Sequence, residues 1–123
     1  MIRLADSEQL WRDIAPAIEH GERLLRRDVR EGKAHFYRLT TAPVLLLARN
    51  EGNTLVICCA VGRNLHKGRN EIINHAEMKG YDMLRWHTYR PETLKKALAG
   101  LTVSVRKAKA FFRPNEHIYT LYL

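Results

Sequence analysis

Two cysteines, four prolines and seven glycines are the whole stock of residues that staple, break or loosen the backbone in this chain of 123 residues. The cysteines, Cys58 and Cys59, sit side by side in an apolar run. There they cannot form an ordinary bridge with each other and they lack metal-ligand spacing, so both read as core packing. His20, His35, His66, His75 and His117 are too scattered in sequence to make a cluster, and no metal is expected. No apolar run approaches the ~20 residues of a membrane span. The opening MIRLADSEQLWRDIAP lacks the basic, apolar and small-residue order of a secretory signal. The expectation is a cytoplasmic, intracellular chain with no membrane partner. A P-loop pattern and a dinucleotide fingerprint are both missing, so neither a nucleotide triphosphatase nor a classical dehydrogenase is indicated. Neither a helix-turn-helix, a zinc finger nor an RNA-recognition signature occurs.

What is present suits one domain over residues 1–123. Apolar residues make up 46% of the chain, an ordinary globular share, and a chain this long can bury a single core. Lysine and arginine total 21 against 13 acidic residues, a formal charge of +8, so the long-range field favours phosphate-rich or otherwise anionic partners.

Helical spacing of Leu10, Ile14, Ala17, Ile18, Leu24 and Leu25 predicts a helical segment over about 7–31, capped by Asp6 or Ser7. Pro16 and Gly21 predict a kink or break near residues 15 to 21. The sheet and crossover helices then occupy about 35–123. HFYRLT, VLLLAR and TLVICCAV read as strands, with NEGN turning the last two into an antiparallel hairpin. TLVICCAV has no polar alternation, which suits a strand covered on both faces at the centre of the sheet. NEIINHAEM predicts a short crossover helix and MLRWHTY a strand parallel to TLVICCAV. PETLKKALAG opens on proline and closes on glycine like a helix, and LTVSVRKAKAFF and HIYTLYL read as two closing strands. The fold class is therefore α/β (α+β), with a mixed sheet of about six strands. Tyr119, Leu121 and Leu123 share a face of the last strand, so an edge-paired dimer is one option beside a monomer.

The segment GRNLHKGRNEI is the most informative stretch. Gly62 and Gly68 lie between an apolar strand and a helix start, where outward amides, the helix dipole and the charges of Arg63, Lys67 and Arg69 all favour an anion such as a pyrophosphate. A tight turn decorated with surface charge has the same sequence. This turn, with the order of elements over roughly 36–123, resembles the GNAT superfamily of acyl-CoA-dependent N-acyltransferases. In that family a central strand leads into a loop of glutamine or arginine, two residues, glycine, one residue, then glycine or alanine. Arg63 and Gly68 match that register, and His66 stands where the first glycine would be.

The resemblance implies a GNAT-like domain that takes acetyl-CoA or another acyl-CoA as cosubstrate and an amine as acceptor. Val61, Gly62, Arg63, His66, Lys67, Gly68 and Arg69 would then form the cofactor-binding turn. It also implies a base near the central strand and a tyrosine on the penultimate helix. TLVICCAV has no carboxylate and PETLKKALAG no phenol. His87 and Tyr89, on one face of MLRWHTY, are the catalytic candidates for proton transfer. A covalent route through Cys58 or Cys59 lacks an identifiable histidine and carboxylate partner. The alternative class is a non-catalytic binding or adaptor protein on the same fold. In that case Arg106, Lys107, Lys109 and Arg113, beside Phe111 and Phe112, would meet nucleic acid or an acidic protein partner.

Overall fold

A computed structural model of the chain describes residues 1–88, 90–107 and 116–123. The expected break in the N-terminal helical segment is present. Helix α1 (Glu8–Ile14) is capped by Ser7, whose Oγ accepts from the Leu10 amide at 3.2 Å. A 3-10 turn at Ala15–Ala17 follows, carrying Pro16 in its first positions, and α2 (Glu22–Arg30) starts after Gly21.

One sheet holds seven strands among the described residues, one more than the sequence suggested. In chain order they are β1 (Ile2–Leu4), β2 (Ala34–Arg38), β3 (Val44–Glu51), β4 (Thr54–Gly62), β5 (Met83–Thr88), β6 (Ser104–Lys107) and β7 (His117–Tyr122). Three residues are too few to carry a readable alternation, which is why β1 escaped notice. Across the sheet the order is β1-β2-β3-β4-β5-β7-β6. Strand β4 is central, antiparallel to β3 and parallel to β5, as its unbroken apolar character indicated. The last strand differs from expectation: β7 lies between β5 and β6, so its backbone from His117 to Thr120 is paired on both sides and is not a sheet edge. The edges are β1 and β6.

The β4–β5 crossover also departs from the sequence reading. Helix α3 spans Leu65–Met78, beginning five residues ahead of the expected NEIINHAEM, so His66, Lys67, Gly68 and Arg69 are helical instead of forming an open connection. Polar residues and a glycine hid that first turn, because after Leu65 no large apolar residue follows until Ile72. Helix α4 (Pro91–Ala97) begins on its proline as expected.

The helices cover different parts of the sheet. On one face α3 and α4 bury Ile72, Ala76, Leu94 and Ala97 against Leu46, Ile57, Leu84 and Trp86. On the other, α1 and α2 bury Trp11, Ile14 and Leu25 against Phe36, Leu45 and Leu47, and Trp11 meets Phe36 edge to face at 5.0 Å. Each fully buried side chain of this size contributes about 1.5–3 kcal/mol. No helix among the described residues is long and apolar enough to cross a membrane.

Candidate functional site

Two irregularities in β4 create the site. Its register with β3 slips between Leu47 and Ala48, which face Cys59 and Ile57 respectively. Cys58 is therefore the extra residue of a β-bulge, a device that bends a strand and re-aims its side chains. Ahead of the bulge, Leu55 and Ile57 face α3; beyond it Cys59 joins the core under α1 and α2. The second irregularity is that β4 pairs with β5 only from Thr54↔Met83 to Ile57↔Trp86. From Cys58 onward the two parallel strands part, and the backbone groups of β4 that face β5 have no strand partner.

A cleft of about 380 Å³ opens at this fork. Cys58 to Gly62 and Leu65 form one wall, Trp86 to Thr88, Arg90 and Thr93 another, and residues 16–21 with Leu24 a third. Its β4 wall leads to the N-terminus of α3. There Gly62 has φ +135°, and a Cβ on it would stand 2.0 Å from the carbonyl oxygen of Pro43, the same oxygen that accepts from the Arg63 amide at 3.2 Å. Asn64 is left-handed (φ 60°) and gives α3 no side-chain cap. The first-turn amides of Leu65 and His66 consequently lack intrahelical acceptors. Arg63 and Lys67 are exposed beside them, so the turn combines free amides, the positive end of a helix and two cations. His66 lines an adjoining groove with Asn64, Glu92, Thr93 and Lys96.

Two of the proposed turn residues are occupied differently. Gly68 is buried in α3, where a Cβ would come within 2.4 Å of Leu39 Cδ1, so its lack of a side chain lets the helix pack against the 39–43 loop. Arg69 donates to the carbonyls of Ala97 and Ala99 and ties α3 to the end of α4. Beneath this turn, Glu71 accepts from the Thr40 and Thr41 amides at 2.9 Å, from Thr41 Oγ1 at 2.7 Å and from the N-terminal ammonium at 3.0 Å. It pins the loop that supports Gly62 and Gly68.

On the cleft's other wall, His87 Nδ1 lies 2.6 Å from Oε1 of Glu116, a carboxylate only 3% exposed. Arg85 Nε approaches His87 Nε2 at 3.1 Å. Since a guanidinium N–H can only donate, Nε2 holds the lone pair and Nδ1–H donates to Glu116. Burial is the largest influence on His87 and lowers its basicity; Glu116 raises it by hydrogen bond and charge, and the positive charges of Arg85 and Arg49 lower it, with a net shift below the ordinary imidazole value. Arg85 also reaches Glu51 (2.8 Å), which Arg49 shares (2.7 Å) while extending to Asp28 (3.4 Å). Glu116 was not a sequence candidate because RPNE reads as a turn. The only signal was its place immediately before a strand that the sequence did not show to be the neighbour of MLRWHTY. Tyr89, Lys109 and Arg113, with Phe111 and Phe112, lie outside the described residues. Arg106 is exposed on the edge strand β6, which also contains Lys107. Burial pushes the Cys58 and Cys59 thiols up to about 11 and about 12. No group of three potential ligands for a metal ion occurs among the described residues.

A central strand that forks from its parallel neighbour, followed by a helix whose N-terminus faces the gap, can be compared with solved structures. An acetyltransferase of Bacillus subtilis, solved in complex with CoA, superposes with a TM-score of 0.62 at 9% identity, covering 98% of this chain and 95% of that one. The chain has the GNAT fold. A GNAT-family protein of Desulfovibrio desulfuricans matches with a TM-score of 0.59 at 17% identity, over 98% and 96% of the two chains. No family model and no curated protein matches the sequence. The GNAT-like order of elements thus extends beyond residues 36–123 to include the N-terminal helices.

Proposed function

We propose that this GNAT-fold protein is an acyl-CoA-dependent N-acyltransferase, with acetyl-CoA or another acyl-CoA as cosubstrate, and that His87 takes the proton of the amine acceptor. The observation that carries this reading is the fork between β4 and β5 after Ile57 and Trp86, which leaves unpaired strand backbone along a cleft leading to the N-terminus of α3.

The residues present fit a CoA thioester at each stage. The Leu65 and His66 amides, Arg63 and Lys67 would hold a pyrophosphate, and the unpartnered β4 backbone beyond Cys58 would hold an amide-bearing chain in the manner of an added strand. When bound, the thioester supplies an activated acyl carbon. A β4 amide facing the fork would stabilise negative charge developing on the acyl oxygen. His87, neutral and backed by Glu116, accepts a proton, and Glu116 steadies the imidazolium that results. Neither cysteine is needed, and neither is a thiolate at neutral pH.

Calorimetry with acetyl-CoA should show micromolar binding that weakens at least ten-fold in Arg63→Glu/Lys67→Glu, a variant altered only at exposed positions. Thiol release with a panel of amines should fall at least a hundred-fold in His87→Ala with acetyl-CoA binding retained. Absence of binding at millimolar acetyl-CoA would sink the reading.

A further inference from the structure

We propose that Arg85 is a positioning residue that keeps His87 idle, and that the acceptor releasing it carries an anionic group, a carboxylate or a phosphate, close to its amine. This rests on the acyl-transfer reading of the same cleft. In the structure both ring nitrogens of His87 are spent: Nδ1–H on Glu116 and the Nε2 lone pair on the Arg85 Nε–H. An amine cannot hand its proton to a lone pair that already accepts a hydrogen bond, so Arg85 must withdraw first.

The surroundings say what would draw it away. Glu51 Oε2 alone receives Nε and Nη2 of Arg49, at 3.1 and 2.7 Å, and Nη2 of Arg85, at 2.8 Å. Two guanidinium groups thus converge on one carboxylate oxygen, with Arg49 itself lining the cleft and both side chains about 30% exposed. Arg90 lines the same cleft beyond His87, and no described carboxylate pairs with it. An anion entering here would exchange the Arg85 bond to a neutral imidazole for an ion pair with an oxyanion, whose geometry the guanidinium fork matches with two parallel N–H bonds. His87 Nε2 is then free beside the amine. Among the described residues the charged groups acting on His87 are Glu116 ahead of β7, Arg85 from β5 and Arg49 from β3, and Glu51 holds both guanidinium groups.

Nitrogen-15 NMR of His87, recorded without acyl-CoA, tests the latch, with propionate as the probe. The expected resting pattern is a proton on Nδ1 and a hydrogen-bonded lone pair on Nε2. Millimolar propionate should shift the Arg85 Nε–H signal and raise the midpoint of His87 titration. In Arg85→Met the midpoint should already be raised and propionate should have no effect; Arg85→Lys should restore part of the response. A proton on Nε2 in the resting protein, or no response to 50 mM propionate in the unaltered chain, would overturn the latch. With acetyl-CoA, β-alanine should be acylated at least ten-fold faster than n-propylamine, and Arg85→Met should bring the two within about three-fold. Equal rates in the unaltered protein would overturn the acceptor class. If neither amine nor any other is acylated while the NMR pattern holds, the acyl-transfer reading fails and the latch stands.

Discussion

Replacing Glu71 with glutamine should destabilise the fold in a way that fades on acidification. Burial alone would raise the Glu71 carboxyl, but the hydroxyl of Thr41, the amide of Thr40, the N-terminal ammonium and the amide of Thr41 outweigh it and hold the group at about 2. Against the ordinary 4.5 this is a drop of roughly 2.5 units, and each unit corresponds to ~1.4 kcal/mol, so the ionised group contributes about 3 kcal/mol at pH 7. The side chain is 11% exposed but its hydrogen bonds lie at the surface, so solvent screening reduces that figure to about 1–2 kcal/mol. The folded value lies below the unfolded one, so the contribution is complete above about pH 5 and is lost as pH falls toward 2. At pH 3 roughly two-fifths of it remains by the same linkage relation. Urea unfolding of the unaltered chain and Glu71→Gln at pH 7 and pH 3 would measure both differences. A gap under about 0.5 kcal/mol at pH 7, or one that does not change with pH, would refute the reasoning. Because Glu71 fixes the loop beneath Gly62 and Gly68, the variant should also bind acetyl-CoA several-fold more weakly at pH 7.

Gly62→Ala should cost more than 3 kcal/mol in thermal or urea unfolding, because φ is +135° and the new Cβ would collide with backbone at Pro43. Gly68→Ala would clash only with the end of the Leu39 side chain and touch Ala42 Cβ at an ordinary 3.4 Å, so its cost should be about 1–2 kcal/mol. In a Leu39→Ala background the Gly68→Ala penalty should shrink, and a double-mutant cycle that came out additive would disprove the contact. Cys58 should react with iodoacetamide at pH 7.5 at least a hundred-fold more slowly than a free thiol, since a thiol titrating at about 11 is almost wholly protonated there. Rapid alkylation of the folded protein would contradict this.

Much of the scaffold could be read from local chemistry. Pro16 and Gly21 marked the interruption between α1 and α2, the unbroken apolar run of TLVICCAV marked the centre of the sheet, and Pro91 marked the start of α4. Pairing between distant strands could not be read the same way: nothing in HIYTLYL says that β6 will lie outside it, so β7 looked like an edge. The α3 boundary was hidden for a different reason. Arg63 to Arg69 is polar and charged with a glycine inside it, and a solvated first helical turn has the same composition as a loop. The site divided along similar lines. His87 could be proposed because alternation placed it on a face of one strand, whereas Glu116 and Arg85 acquire their roles only from contacts between β5, β3 and the residue ahead of β7.

The bulge at Cys58 changes how substitutions along β4 should be scored. In an unbroken strand, tolerance to polar residues alternates with a fixed parity. Here the odd positions Leu55 and Ile57 belong with α3, while the odd positions Cys59 and Val61 belong with α1 and α2. A systematic scan of polar replacements would therefore show a two-residue rhythm that skips a beat at Cys58. Deleting that one residue would restore an even rhythm with Cys59 to Gly62 still on their present faces, and would take out the bend that the bulge puts into the cleft wall.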